Sequence, residues 1–169
     1  MKIFLIGFMG SGKTHWGKLL SANLKVPFFD LDAVIINAEK KSVSEIFAEK
    51  GEEYFRYKEK DVLEELVNEH DEFIISCGGG TPCFFNTIEF MLKNGIVIWL
   101  NTSISVLKER LLKEKMSRPL VRAIDDSELK TYIIRKLSER KMYYEQAQIM
   151  VHEDEVSLEN LIELLKEYE

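Results

Sequence analysis

The stretch "GFMGSGKT", residues 7–14, follows the apolar run "MKIFLI" and is the strongest indication of fold in this chain. It fits the pattern G-x-x-x-x-G-K-[ST], and it has the context that the pattern requires, a strand before it and a helix after it. Such a loop turns its backbone amides toward phosphate oxygens, and the helix N-terminus adds the positive end of its dipole. We expect Lys13 to reach the β- and γ-phosphates and the Thr14 hydroxyl to bind Mg²⁺. The amides expected to face the phosphates are those of Gly10, Ser11, Gly12 and Lys13.

The loop predicts an ATP or GTP site but does not say where the terminal phosphoryl group goes. Switch proteins that use GTP need a guanine-reading N/TKxD motif, and "WLNTS" after the fourth predicted strand does not supply one. A regulatory GTPase is therefore disfavoured.

On both sides of the loop, short apolar runs alternate with longer amphipathic stretches. The runs at 2–6, 27–30, 73–76, 96–100 and 148–152 are uniformly apolar, as is typical of strands that are buried on both faces. Helical patterns occupy 14–24, 53–69, 84–94, 104–113, 127–147 and 157–168. This alternation predicts a three-layer α/β/α domain over residues 1–169, with a five-stranded parallel sheet between the helices.

Composition excludes several classes of protein. A net charge of −6 over 169 residues argues against a surface that coats nucleic acid. Cys77 and Cys83 are too few for a disulfide framework and fit a reducing compartment. No signal peptide and no run of about 18 apolar residues is visible. We therefore expect a cytoplasmic protein with neither a nucleic-acid nor a membrane partner.

Two carboxylates end the second predicted strand, in "FFDLDAVI". Asp30 and Asp32 lie at its carboxyl end, where open α/β sheets bind their ligands. One of the pair could simply cap the next helix, a position that suits aspartate. Facing a phosphate loop, one can hold a Mg²⁺-bound water while the other orients or deprotonates an acceptor hydroxyl.

Two arginines could be either ordinary surface residues or part of a binding site. Arg56 and Glu59 are three residues apart on a predicted helix, so they could form an exposed ion pair worth about 0.2–0.5 kcal/mol. Arg140 in "SERKMYYEQA" could lie on a solvated helix face. Arginine also pairs with a carboxylate through two parallel hydrogen bonds, which lysine cannot reproduce.

Two further segments interrupt the regular pattern. The run "GGG" after the third strand, Gly78, Gly79 and Gly80, supplies no packing and suits a place where the backbone approaches a ligand closely. Residues 113–126, "KEKMSRPLVRAIDD", are charged and weakly periodic. They are either a surface connection or a mobile lid, and the basic residues before Pro119 favour the lid.

Taken together, these residues resemble the shikimate kinase family over essentially the whole chain. The resemblance rests on "GFMGSGKT", "DLD", "FRYKE", "GGG", "SRPLV" and "RKMYY", which follow one another in the family's order. It implies ATP-dependent phosphorylation of the 3-hydroxyl of shikimate, in the route to chorismate and aromatic amino acids. It also implies the fold of nucleoside-monophosphate kinases, Mg²⁺ as cofactor, a monomer, and a mobile substrate-binding segment at about 31–60 beside a lid at about 113–126.

On the substrate side, the resemblance assigns Asp32 to the shikimate hydroxyls and makes it the base. Arg56 and Arg140 are implied to hold the carboxylate, with Glu59 holding Arg56 in place. Gly79 is implied to contact the substrate through its backbone. Phe47 and Phe55 are either walls for the substrate ring or ordinary core residues.

On the phosphate side, the resemblance implies that Asp30 supports Mg²⁺ through water and that Arg118 closes over the ATP phosphates. A second lid cation is hard to align, and Arg110 and Lys113 are both candidates. For the adenine contacts we expect the backbone at 154–156, after the fifth strand.

The chain departs from the family at two places. Met142 stands where the family usually has proline, and Gln148 stands where it usually has alanine. The rival interpretations are another small-metabolite kinase, such as a gluconate or nucleotide kinase, and a nucleotide-binding module without activity. The two arginines and the triple glycine favour a carboxylated polyol as substrate.

Overall fold

The computed structural model describes residues 1–168, apart from the side chain of Pro119, so Glu169 of the predicted domain lies outside it. Its five strands are parallel and stand in the order β2-β3-β1-β4-β5. The strands are β1 (Lys2–Ile6), β2 (Phe28–Asp30), β3 (Phe73–Ser76), β4 (Ile96–Asn101) and β5 (Ile149–His152). All five lie within a residue or two of the predicted runs, and the predicted fold class is confirmed.

The helices pack against both faces of this sheet. They are α1 (Lys13–Leu24), α2 (Leu31–Glu39), α3 (Val43–Glu69), α4 (Thr87–Asn94), α5 (Ile104–Glu114), α6 (Pro119–Arg122), α7 (Leu129–Tyr144) and α8 (Leu158–Lys166). Short 3₁₀ turns occur at Thr81–Cys83 and Lys115–Ser117. Among residues 1–168, no helix combines the length and the apolar character that a bilayer crossing requires.

The predicted helices differ most from the observed ones around α2, α3 and α4. Helix α4 begins at Thr87 rather than at 84, because Phe85 and Asn86 adopt left-handed φ angles of 50° and 58°. Helix α2 and the first part of α3 had no predicted counterpart within 31–60. Helix α3 is also interrupted at Gly51, whose φ of 85° is in the left-handed region that glycine tolerates best.

Alternating residues of the central strand serve two separate cores. In β1, Phe4 and Ile6 pack under α2, α3 and α4, whereas Ile3 and Leu5 pack under α1 and α8. All four side chains are fully buried. The uniformly apolar strands therefore have the physical cause expected for a parallel sheet covered by helices on both sides.

The strand register brings the candidate residues to one edge of the sheet. Leu5 pairs with Ser76, and Ser76 pairs with Asp30 on the far strand. The phosphate loop follows β1, the glycine run follows β3, Asp30 is the last residue of β2, and Asp32 lies two residues further on. They therefore leave the sheet side by side at its carboxyl edge.

The predicted lid segment is structured and anchored. It contains the 3₁₀ turn Lys115–Ser117 and the short helix α6. Val121 on α6 is fully buried in a small core with Leu111 of α5 and Ile133 of α7. The segment is thus tied at its centre, while Arg118 precedes the anchor.

Candidate active site

The phosphate loop places Lys13 at the start of α1 with its ammonium group turned back into the loop. Its Nζ donates hydrogen bonds to the carbonyls of Gly7, at 2.8 Å, and Phe8, at 2.9 Å. An ammonium group has three donors, so one remains for a ligand. Burial lowers the pKa of Lys13 to about 8, although Asp32 opposes this shift.

Ser11 departs from its predicted role. Its backbone amide donates to the Phe8 carbonyl at 3.1 Å, so it closes the turn rather than facing a phosphate. Its buried hydroxyl has no hydrogen-bond partner among residues 1–168. The loop residues that line the adjoining cavity are instead Met9, Gly10, Gly12, Lys13 and Thr14.

Thr14 and Asp30 form a hydroxyl–carboxylate pair at the edge of the sheet. Thr14 Oγ1 donates to Asp30 Oδ2 at 2.8 Å and lies 3.4 Å from Ser76 Oγ. The other oxygen of Asp30 accepts a 3.2 Å hydrogen bond from the amide of Ala33 and caps α2. Asp30 therefore has the capping role considered from the sequence, and it also faces the phosphate loop.

This pair suits Mg²⁺ better than a metal that needs an all-protein cage. Among residues 1–168 there is no group of three or more His, Cys, Asp or Glu side chains able to hold a metal ion. Mg²⁺ usually takes only one or two protein oxygens and completes its shell with water and phosphate. The hydroxyl of Thr14 and the carboxylate of Asp30 match that requirement.

Asp32 lies in the first turn of α2, between two cavities, and it lines both. Burial raises the pKa of its carboxyl group, and the negative charge of Asp30 adds to the effect. Lys13 and Arg56 act in the opposite direction. The result is a carboxylate that binds a proton more readily than an exposed aspartate does, which suits a base.

Arg56 is buried in a polar and aromatic cage, so the exposed ion pair considered from the sequence is wrong. Its side chain is 8% exposed, and Nη1 donates to Glu59 at 2.7 Å. Three rings surround the guanidinium carbon, at distances of 4.6 to 5.8 Å from their centroids. These rings belong to Phe84, Phe55 and Phe47.

Glu59 holds Arg56 in place through this hydrogen bond. It is 2% exposed, and its second oxygen accepts a 2.6 Å hydrogen bond from the Thr81 hydroxyl. Burial raises the pKa of Glu59, and the charge of Arg56 opposes that shift. The carboxylate is thus fully engaged, which fixes where the guanidinium group lies.

The glycine run passes so close to the two arginines that an added side chain would force their guanidinium groups to move. A β-carbon on Gly80 would lie 2.5 Å from Arg56 Nη2, and one on Gly79 would lie 2.8 Å from Arg140 Nη1. Close approach of the backbone was the predicted reason for three consecutive glycines. In the structure the partners in that approach are the arginines themselves.

Arg140 faces the site from α7 and not the solvent. Its guanidinium carbon lies 5.5 Å from the centroid of the Phe8 ring, and the side chain lines the same cavity as Arg56. The structure therefore brings both arginines to one cavity. Met142, where the family has proline, is an exposed residue of the same helix.

Arg118 lies at the rim of both cavities and is bound to α5. Its Nε donates to Glu114 Oε2 at 2.6 Å, and its Nη2 forms an ion pair with the same oxygen at 2.5 Å. Of the two candidates for a second lid cation, Arg110 lines the phosphate cavity and donates to the Gly10 carbonyl at 2.9 Å. Lys113 instead forms an exposed ion pair with Glu109.

The two cavities differ in size and lining. The phosphate cavity has a volume of about 580 Å³ and extends from the loop to Trp16, Arg110 and Glu114. The second cavity, of about 400 Å³, is bounded by Phe47, Phe55 and residues of α2. Five residues belong to both linings and form the wall between them: Met9, Asp32, Gly78, Gly79 and Arg118.

Some lining residues were missed from the sequence. Trp16 lines the phosphate cavity without having been singled out, whereas the segment at 154–156 that we expected to meet adenine lines neither cavity. Phe84 covers Arg56, but its run "CFF" carries no signal of its own. Trp16 follows the loop motif by two residues, so its place on the first turns of α1 was the available clue.

Comparison with known proteins agrees with this geometry. The family model described as shikimate kinase matches residues 9–168. The shikimate kinase of Azobacteroides pseudotrichonymphae is 41% identical over 164 residues, which cover 97% of this chain and 96% of that protein.

Two solved structures extend the comparison. The crystal structure of shikimate kinase from Bacteroides thetaiotaomicron superposes with a TM-score of 0.93 at 40% identity, covering 98% of both chains. Shikimate kinase from Acinetobacter baumannii in complex with shikimate gives a TM-score of 0.85 at 27% identity. The alignment covers 99% of this chain and 91% of that one.

A phosphate loop beside a second, arginine-lined cavity defines the class: a P-loop kinase that phosphorylates a small anionic metabolite. Within that class, the chain belongs to the shikimate kinase family. The family and the enzyme class predicted from the sequence are confirmed, and the gluconate-kinase and non-catalytic alternatives are not favoured.

Proposed function

We propose that this site transfers the γ-phosphoryl group of ATP to the 3-hydroxyl of shikimate, with Asp32 at the point of transfer. The observation that carries the proposal is the position of Asp32 in the wall shared by the two cavities. A group that lines both cavities can contact an acceptor hydroxyl on one side while the phosphoryl donor lies on the other.

Shikimate fits the second cavity by its chemistry. It is a small triol with one carboxylate, and Arg56 and Arg140 both line that cavity. Two guanidinium groups can hold a carboxylate by charge-assisted, directional hydrogen bonds. The complex of the Acinetobacter baumannii enzyme with shikimate supports this assignment.

ATP fits the phosphate cavity, with its terminal phosphates against the loop. Lys13 and the amides of Gly10 and Gly12 would hold the β- and γ-phosphates. Arg118 would add its charge from the rim, where it already lines both cavities. Phosphoryl transfer needs little covalent chemistry from the protein, so this positioning and charge stabilisation supply most of the catalysis.

Thr14 and Asp30 would hold Mg²⁺, the first through its hydroxyl and the second through water. The ion would supply positive charge that offsets the negative charge developing on the phosphoryl group during transfer. Asp30 is held for this role by its cap on α2, which fixes one carboxylate oxygen.

Asp32 would orient the 3-hydroxyl and accept its proton as the new O–P bond forms and the bond to ADP breaks. Burial raises the pKa of this carboxyl group, and a base is most effective when its pKa lies near the working pH. The charges of Lys13 and Arg56 oppose this rise in the pKa and favour the ionised carboxylate.

We also propose that the enzyme is a cytoplasmic monomer that binds neither nucleic acid nor membranes. The acidic net charge of −6 argues against a nucleic-acid partner, and the two free cysteines fit a reducing compartment. The monomer is what the resemblance to the family implies. Light scattering of the purified protein should give a mass near 19.7 kDa, and a doubled mass would contradict the monomer.

The proposed reaction is tested by measuring ADP release against a panel of acceptors. With Mg²⁺ and ATP present, we expect turnover with shikimate, and only background with gluconate or a nucleoside monophosphate. Phosphorus NMR of the product should show one new phosphomonoester, at the 3-position. Equal turnover with gluconate or a nucleotide would overturn the assignment.

A further inference from the structure

The phenol of Tyr144, in the last turn of α7, makes a polar contact with the glycine run from outside both cavities. Its Oη donates a 2.6 Å hydrogen bond to the carbonyl of Gly79. The residue is fully buried and lines neither cavity. Its ring packs in the main core, 5.7 Å from the ring of Trp99. The core therefore fixes the ring, and the ring fixes the direction of its hydroxyl.

This hydrogen bond determines the orientation of one peptide unit. The chain has no cis peptide bonds among the described residues, so the N–H of Gly80 points opposite to the C=O of Gly79. With the carbonyl bound to Tyr144, the amide of Gly80 must point away from α7. A flip of this peptide would turn a carbonyl oxygen toward the place where the amide now lies.

The amides of this turn are available to a ligand. Within residues 1–168, neither Gly79 nor Gly80 donates a backbone hydrogen bond, although Gly80 is buried. Both residues line the cavity assigned to shikimate. A buried donor without a protein acceptor is costly unless something binds it, and a hydroxyl of a bound polyol can do so.

The same bond ties the glycine run to Arg140. Arg140 lies one helical turn before Tyr144 on α7, so the two side chains point to the same face. A β-carbon on Gly79 would lie 2.8 Å from Arg140 Nη1 and 3.6 Å from Tyr144 Oη. Anchoring α7 to the Gly79 carbonyl therefore also sets how closely the Arg140 guanidinium approaches the turn.

We propose that Tyr144 is a positioning residue for the acceptor: its hydroxyl locks the Gly79–Gly80 peptide so that the turn presents amide donors, and Arg140, to the hydroxylated carboxylate. The proposal rests on the assignment of the second cavity to shikimate. It concerns binding of the acceptor, because Gly80 and Arg140 line the second cavity and not the phosphate cavity.

The test is Tyr144→Phe, which removes one oxygen and keeps the ring. We expect the KM for shikimate to rise by about fivefold to tenfold, the net effect of losing one buried hydrogen bond and its orienting role. The KM for ATP should stay within twofold of the wild-type value. A purely structural role would instead lower the melting temperature without separating the two KM values.

Tyr143→Phe is the matched control, because Tyr143 is the neighbouring residue on α7 and packs against the same core. It should leave both KM values unchanged. Direct titration of each variant with shikimate, without nucleotide, should show weaker binding for Tyr144→Phe and unchanged binding for Tyr143→Phe. Unchanged shikimate affinity in Tyr144→Phe would overturn the proposal while leaving the reaction assigned. If the wild-type protein neither bound nor phosphorylated shikimate, the proposed reaction itself would be overturned.

Discussion

Burial makes Lys13 lose its proton at a lower pH than an exposed lysine does. The free site has a pKa of about 8 for this group, because desolvation outweighs the attraction of nearby carboxylates. Phosphate oxygens placed against the ammonium group favour its charged form. Nucleotide binding and protonation of Lys13 are therefore linked.

The linkage has a definite sign. Above about pH 8 the free site loses the Lys13 proton while the nucleotide-bound site keeps it, so binding takes up a proton. We expect ATP affinity to fall by up to about tenfold per pH unit in this range. Calorimetric titrations in two buffers of different ionisation enthalpy measure the uptake. Lys13→Met should abolish it, and affinity that stays constant to about pH 9.5 would contradict the linkage.

Single residues also show what the sequence could and could not predict. Lys13 and Thr14 were predicted because a fixed local pattern determines their positions. The burial of Arg56 was not, since its cage needs Phe84 and Thr81 from a distant part of the chain. A pair three residues apart on a helix looks the same in sequence whether it is exposed or buried.

At the scale of elements, local signals predicted the strands best. Buried parallel strands are continuous apolar runs, and their bounds were predicted within two residues. Helix α2 was missed because its apolar residues follow directly on those of β2. The start of α3 carries a capping box in Ser42 and Glu45, a signal that was present in the sequence. The late start of α4 depends on two left-handed residues, which no local pattern indicated.

In the segment predicted to be a lid, the Arg118 side chain has two possible partners. Arg118 is bound to Glu114 of α5, yet it lines the phosphate cavity. To hold a phosphate, the guanidinium group must exchange or share this carboxylate. Because both side chains are substantially exposed, the pair is worth little, about 1 kcal/mol at most.

Glu114→Gln should therefore favour the ATP-bound arrangement. We expect the KM for ATP to fall by about twofold to fourfold, the size of effect that an exposed ion pair allows. Glu109→Gln is the matched control, since Glu109 forms an exposed pair with Lys113 on the same helix. Steady-state kinetics at low ionic strength measure the KM for ATP of both variants. A raised KM for ATP in Glu114→Gln would mean that Glu114 positions Arg118 rather than competing for it.

In the molecule as a whole, the two cavities lie next to each other at the carboxyl edge of the sheet and share one wall. In the order β2-β3-β1-β4-β5, the strand before the glycine run lies between the strand before the phosphate loop and the strand of the aspartates. This arrangement depends on pairing between strands that are distant in sequence. Strand number and direction could be predicted, whereas the wall shared by the two cavities could not. That wall requires α2, the glycine run and Arg118 to converge.

The most direct test of the account is the turnover of Asp32→Asn with shikimate and MgATP. The amide keeps the size of the side chain but cannot accept the proton, so we expect kcat to fall by about 10²–10⁴. Titrations should show that both substrates still bind. Asp61→Asn, at an exposed position of α3, is the control and should be as active as the wild type. A kcat for Asp32→Asn within about threefold of the wild type would contradict the role of Asp32 at the point of transfer.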